Sequence, residues 1–254
     1  MSDNSVDAQL FYENLGSDYD RMTRFPQRLP GEREIVSQWR QKLEFESVVD
    51  AACGTGLHAI ALAQLGVRVV ASDLSETMLT LARHHAKEMN VDVTWVQAPM
   101  ESMRERLDGT FDMILCLGNS LPHLLDEKAL LSTLKGFHAL LNPGGHILLQ
   151  MVNYDRVLAQ RQRIVAINRQ EHTEFIRFYD FDPPFVDFNI LRIDWSDDKP
   201  GHCLNATRLY PYRREEVQRG LVAAGFSEWQ VFGDMKAAPF SAANSANMVL
   251  LAKY

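Results

Sequence analysis

From about Ser47 onward, short apolar, β-branched runs alternate with stretches whose apolar residues recur at helical spacing. Ser47–Cys53 predicts a buried strand, after which Leu57, Ile60, Ala61 and Leu65 mark a helix that stops at Gly66. Val67–Asp73 predicts a second strand, and Ser75 caps a helix whose stripe includes Met78, Ala82, Ala86 and Met89. Val93–Gln97 and Phe111–Leu117 predict two further strands. Asp126 then opens a helix with Leu130, Leu134, Phe137 and Leu141 on one face. The run Asn142-Pro143-Gly144-Gly145 breaks it, and His146–Val152 reads as a fifth strand. Strands apolar on both faces and separated by helices predict a parallel sheet covered on each side.

The pattern then changes. Thr173–Phe181, Val186–Trp195 and His202–Tyr210 are strand-like with no helix between them, separated by Pro183-Pro184 and by Asp197-Asp198-Lys199-Pro200-Gly201. They predict an antiparallel insertion over one edge of the main sheet. A helix from about Arg213 to Ala224, stopped by Gly225, resumes the first pattern, and strands near Trp229–Phe232 and Asn247–Ala252 close it.

Composition narrows the function. In 254 residues, 46% are apolar and 23% charged, ordinary for a folded α/β chain. The formal charge of -7 gives no footprint for a nucleic-acid backbone, and Arg213-Arg214 reads as a solvated helix start. Cys53, Cys116 and Cys203 lack metal-ligand spacing, so no metal is expected, and their odd number argues against a disulfide framework. The opening MSDNSVDAQLFYENL has no leader-like apolar run, and no stretch is long enough for a membrane helix. A cytoplasmic protein without membrane or nucleic-acid partners is the expectation, with monomer and homo-oligomer both open.

The chemistry points to the first strand–helix turn. Asp50-Ala51-Ala52-Cys53-Gly54-Thr55-Gly56 lets a ligand approach the backbone, and the N–H groups at the helix start favour an anionic or polar group. Asp73 ends the second strand, where a carboxylate accepts both hydroxyls of a ribose. Together they specify an adenosine-type cofactor. Gly54-Thr55-Gly56-Leu57-His58-Ala59 also fits the dinucleotide fingerprint, so the glycines alone leave the cofactor open. Asp50 favours a cofactor with an ammonium end and would crowd a pyrophosphate, and no second mononucleotide-binding half is evident.

The sequence resembles the class I S-adenosylmethionine (SAM)-dependent methyltransferases, and among them the glycine and sarcosine N-methyltransferase branch. VVDAACGTG at Val48–Gly56 carries the match, with Ser72-Asp73-Leu74-Ser75, Met78-Leu79 and FDMILCLGNSLPHL at Phe111–Leu124. Leu141–Gly145 and Asn153-Tyr154-Asp155 extend it. The resemblance implies an α/β, Rossmann-like, seven-stranded and mostly parallel sheet with helices on both faces. It divides the chain into lid helices (1–46), a SAM-binding core (47–153), an antiparallel insertion covering the substrate (154–210), and a closing helix and strands (211–254).

SAM is the implied cofactor. Its implied contacts are Tyr19, Arg28, Asp50, Ala52, Gly54, Gly56, Asp73, Leu74, Met78, Met100, Cys116 and Leu117. Pro99 stands where relatives carry a polar adenine contact, which leaves that task to Gln97 or the Met100 backbone. Methyl transfer is an in-line displacement that needs alignment and exclusion of water. Tyr19, Asn119 and His123 are the catalytic candidates. Met78 at helical spacing also reads as core, Asn119 as a turn residue, His123 as a helix start and Arg28 as a solvated charge.

Where the glycine enzymes carry an arginine for the substrate carboxylate, this chain has Val152. Arg177, Arg192 and Arg208 on the inserted strands are the candidate replacements. Tyr12, Asn119, Arg177, Arg208 and Tyr210 complete the candidate substrate contacts. Phe178, Tyr179, Phe188 and Tyr210 form either an aromatic pocket or the insertion's apolar face. The expected activity is N-methylation of a small amine or amino acid. An O- or S-methyltransferase is the alternative, followed by a nicotinamide-dependent oxidoreductase or a non-catalytic SAM sensor.

Overall fold

The computed structural model describes residues 7–254, so the part of the expected lid before residue 7 lies outside the described residues. Three helices come first: α1 (Ala8–Leu15), α2 (Asp18–Thr23) and α3 (Phe25–Leu43). The core then runs β1 (Ser47–Ala51), α4 (Leu57–Ala63), β2 (Arg68–Asp73), α5 (Glu76–Glu88), β3 (Thr94–Gln97), β4 (Phe111–Cys116), α6 (Glu127–Ala139), β5 (Leu141–Val152) and α7 (Tyr154–Gln160). Next come β6 (Ile164–Gln170), β7 (Thr173–Asp182), β8 (Phe185–Asp194) and β9 (Gly201–Leu209). The chain closes with α8 (Arg214–Ala224), β10 (Glu228–Phe232) and β11 (Asn247–Lys253).

Seven strands form one sheet in the order β10-β11-β5-β4-β1-β2-β3. Pairings among β1 to β5 are parallel, whereas β11 runs antiparallel to both β5 and β10. The expected mostly parallel, Rossmann-like sheet is therefore present. Burial on both faces explains the continuous apolar runs. Leu130, Leu134 and Phe137 of α6 and Val217 and Leu221 of α8 cover one side. Val36 and Trp39 of α3, Ile60 of α4 and Leu79 of α5 cover the other.

Local chemistry sets the helix ends. The Ser75 hydroxyl accepts from Met78 N at the start of α5, Asp126 accepts from Ala129 N at the start of α6, and Gly225 ends α8 at φ 108°. β1 lies between β2 and β4, so the strand order reverses there. The crevice at the carboxyl ends of these strands is where open α/β sheets bind ligands.

The insertion is a four-stranded antiparallel sheet, β6-β7-β8-β9, rather than the three strands expected. The missed strand, β6, occupies an edge. Its apolar residues do not alternate, and Ile164 and Ile167 are half exposed, so neither strand nor helix periodicity marks it. α7 also carries no sequence expectation. β9 packs against α1 and against the 3-10 turn Leu121–His123 that follows β4, which suspends the insertion over the crevice. Among the described residues, no helix is long and apolar enough to cross a membrane.

Candidate functional site

Three backbone positions turn the chain sharply out of β1. Ala52, Gly54 and Gly56 adopt φ of 55°, 56° and 85°, in the left-handed region where only glycine is unstrained. The two glycines have different reasons. A Cβ at Gly54 would meet only the Tyr19 ring, at 3.6 Å, so its conformation is the main constraint. A Cβ at Gly56 would lie 2.8 Å from the Trp95 ring and 3.1 Å from Ala82, so that glycine is also required by packing of the loop on β3 and α5. Gly56 faces the protein rather than the crevice, contrary to its expected ligand contact.

The loop is tied to Asp73. One carboxylate oxygen accepts from Gly54 N at 2.8 Å and the other from Ser75 N at 2.9 Å. Burial raises the Asp73 carboxyl above its ordinary value, against the lowering effect of these N–H groups. Asp73 borders a cavity with Ala52, Gly54, Leu74, Met100 and Leu117. The lid adds Tyr12, Tyr19, Thr23, Phe25 and Arg28 to its wall. An acidic group, a cation, a bent loop and flanking apolar side chains are thus brought to one cavity.

Several expected contacts are not on that surface. Asp50 lies beneath the loop at 1% exposure, and burial lifts its carboxyl to about 6, with His58 and Ala59 N acting in the opposite direction. Its Oδ2 is buried without a hydrogen-bond partner among the described residues. Met78 is fully buried core, as helical spacing allows. Cys116 points its Sγ at Met100 Sδ, and Leu117 is the next residue to reach the cavity. The Gln97 amide donates to Leu74 O and so braces the neighbouring wall.

A second chamber adjoins the first and shares Tyr12, Tyr19, Thr23, Arg28, Gly118 and His123 with it. Asn119 and Val152 line it from the core, Phe11 from the lid, and Arg177, Tyr179, Phe188 and Ile190 from the insertion. Asn119 has φ 69°, a left-handed position that asparagine tolerates better than most residues. Its Oδ1 accepts from Val152 N at 3.0 Å and its Nδ2 donates to Tyr154 Oη at 3.0 Å. The side chain therefore braces the turn after β4 and retains one acceptor lone pair on Oδ1.

His123 Nε2 lies 3.1 Å from Tyr12 Oη, and its buried Nδ1 has no partner among the described residues. Burial pulls the imidazole down to about 4, so it is neutral at ordinary pH. Burial also raises Tyr12 and Tyr19 above the usual phenol value. No carboxylate lines the second chamber among the described residues.

Strand parity sorts the insertion's candidates. Arg177, Tyr179 and Phe188 point inward. Arg208 belongs to the opposite face, where it pairs with Asp187 and Asp182, each at 3.0 Å. Tyr210 turns away to donate to Glu216 at 2.9 Å. Neither of these two expected substrate contacts lies on the chamber wall. Arg192 is paired with Asp18 of α2 at 2.6 Å.

That pair helps hold the lid. Arg21 donates to Thr173 Oγ1, Asn168 donates to Met22 O, and Asp20 pairs with His85 of α5 at 3.1 Å. His85 also meets Thr55 O at 3.1 Å through Nδ1. Burial alone would lower His85, but Asp20 and Thr55 O raise it above its usual value. Glu32 of α3 pairs with Arg28 and with His58. Burial opposes its ionisation, yet these partners bring it to about 2.

Thr23, Phe25, Thr55, His58 and Ser120, none of them an expected contact, also line the first cavity, together with Gly118. Gly118 adjoins the predicted Asn119, and His58 sits on the first turn after the loop, so both were within reach of a local reading. The lid residues Thr23 and Phe25 depend on tertiary docking.

Residues 48–145 match the family model described as methyltransferase domain. A glycine/sarcosine N-methyltransferase from Halorhodospira halochloris is 29% identical over 225 residues, covering 86% of this chain and 80% of the relative. An S-adenosylmethionine-dependent methyltransferase from Clostridium acetobutylicum superposes with a TM-score of 0.79 at 15% identity, over 95% of this chain and 98% of that one. A SAM-bound amino pentose methyltransferase from Micromonospora echinaspora superposes with a TM-score of 0.72 at 18% identity, over 93% of this chain and 96% of that one.

Proposed function

We propose that this chain, which belongs to the class I SAM-dependent methyltransferases, methylates the nitrogen of a small amine or amino acid. SAM is its cofactor and, when bound, supplies an electrophilic methyl group on a sulfonium. The first cavity fits it. Asp73 offers each oxygen's second lone pair to a ribose, Arg28 suits the amino-acid carboxylate, and Leu74 and Met100 suit the adenine. Tyr19, beside Gly54, closes the lid side and excludes water. Ala52, Gly54 and Leu117 contribute backbone surface, and Asp50 supports the loop from below.

One observation carries the choice of nitrogen: the acceptor chamber holds no side chain that stores a proton near neutral pH. Its histidine is neutral down to about 4, its tyrosines are raised, and it has no carboxylate among the described residues. A hydroxyl or thiol would need a base to become a good nucleophile, whereas a neutral amine already carries its lone pair. Arg28 and Arg177 border the chamber and, being cationic, disfavour an ammonium and favour the free base. Tyr12, Asn119 and His123 are suited to accept the amine's N–H groups. The similarity to the glycine/sarcosine N-methyltransferase supports the same choice.

The test is release of S-adenosylhomocysteine with panels of amines, amino acids, phenols and thiols. Amines should lead, and their kcat/KM at saturating SAM should rise with pH as the acceptor loses its own proton. Faster methylation of phenols or thiols than of every amine would refute the reading.

Asn119→Ala should lower turnover about 10- to 100-fold through misplacement of the turn, while SAM affinity changes far less. Single-turnover kinetics and calorimetry separate these effects, and wild-type turnover would remove Asn119 from the site.

A further inference from the structure

The inner face of β7 contains an anomaly. Phe175 and Tyr179 are 1% and 2% exposed, each packed in an apolar cluster beneath the lid or beside α7. Between them on the same face stands Arg177, opposite Ile190 of β8. Its Nε is buried with no hydrogen-bond partner, and among the described residues no carboxylate pairs with it. The ionisable groups facing it are the Tyr19 and Tyr179 phenols and the Arg28 guanidinium. The other arginines nearby are engaged: Arg28 with Glu32, Arg192 with Asp18 and Arg208 with Asp187.

A half-buried guanidinium whose Nε is buried without an acceptor and which no carboxylate neutralises is costly. Burial also pulls Arg177 below the usual arginine range. Its position repays that cost if the missing partner arrives with the ligand, because Arg177 borders the acceptor chamber. Val152, whose side chain can neither donate nor pair with an anion, borders the same chamber.

We infer that Arg177 is the specificity-determining residue that binds a carboxylate on the acceptor, so the acceptor is an amine that also carries an acid group. A planar guanidinium matches a carboxylate with two parallel N–H···O bonds, which fixes the acceptor's orientation as well as its charge. The acid rests on Arg177 while the amine turns toward Asn119, Tyr12 and His123. This inference rests on the N-methyltransferase reading and adds the acceptor's second functional group.

The experiment compares amino acids with amines that lack the acid: glycine with methylamine, β-alanine with ethylamine, γ-aminobutyrate with propylamine and anthranilate with aniline. S-Adenosylhomocysteine release gives turnover, and calorimetry on the full chain loaded with S-adenosylhomocysteine gives binding. In at least one pair the acid should be preferred by about tenfold or more in kcat/KM. Arg177→Gln should bring that ratio toward one, chiefly through KM, and Arg177→Lys should recover part of it. Arg177→Gln should also raise the Tm of the ligand-free protein, because it removes a half-buried charge that no carboxylate neutralises.

A ratio near one in every pair of the wild type would overturn the inference alone and leave N-methylation standing. Equal losses for acid and amine in Arg177→Gln, or a lower Tm, would show a structural role and overturn it likewise. Methylation of phenols or thiols with no amine accepted would overturn both readings. Neither turnover nor binding of any acid in the panel would overturn the carboxylate assignment.

Discussion

Asp73→Ala is expected to weaken SAM binding at least about 100-fold, the equivalent of roughly two hydrogen bonds to a charged acceptor. The carboxylate ends β2 and holds Gly54 N and Ser75 N, so its loss removes the proposed ribose partner and loosens the loop together. Asp73→Asn keeps one acceptor oxygen and should fall between alanine and wild type. Calorimetric titration of each variant measures the effect, with Tm as a check on folding. Affinity within about threefold of wild type would remove Asp73 from the cofactor site.

Asp50→Asn should have the opposite effect on the ligand-free protein and stabilise it. The Asp50 carboxyl sits at about 6 instead of 3.8, chiefly because burial penalises its charge. That difference corresponds to about 3 kcal/mol of destabilisation once the group is ionised. Asparagine returns part of it by leaving an amide N–H where Oδ2 now lies unpaired, so a net gain of about 1–2 kcal/mol, a few degrees in Tm, is expected.

The sign of the pH dependence follows from the raised value. The folded state holds this proton more tightly than the unfolded chain does. The penalty on wild type is absent below the unfolded value near 3.8 and complete above about 6. The advantage of Asp50→Asn should therefore be full at neutral pH and fade on acidification toward about pH 4. Thermal melts across that window measure it, and an advantage that does not depend on pH would sink the account. The same substitution should shrink the Tm increment produced by SAM, because a cationic ammonium above the loop offsets the buried charge only in wild type.

The core was legible because its signals are local. Val48, Val49 and Val69 form continuous apolar runs, Ser75 and Asp126 cap their helices through their own side chains, and Gly225 ends α8. The loop at Ala52–Gly56 could also be located, but the partner of Gly56 could not. Trp95 comes from β3, two strands further along the chain, and meets the loop only after the sheet has assembled.

The insertion shows the same limit. Alternation within β7 places Arg177 with Tyr179 and against Phe178. Which face of β9 carries Arg208 depends on its pairing with Asp187, which no single strand encodes. β6 was missed because an edge strand with exposed Ile164 and Ile167 lacks the alternation that a half-buried strand requires. The lid contacts of Thr23 and Phe25 were unreadable because nothing in α2 or α3 specifies where those helices dock.

Tyr12, Tyr19, Thr23 and Arg28 border both chambers at once. One roof therefore serves two rooms, and its clasps reach the insertion through Asp18 and the core through Asp20. Displacing that roof would uncover both chambers together and break the Arg192–Asp18 and His85–Asp20 pairs.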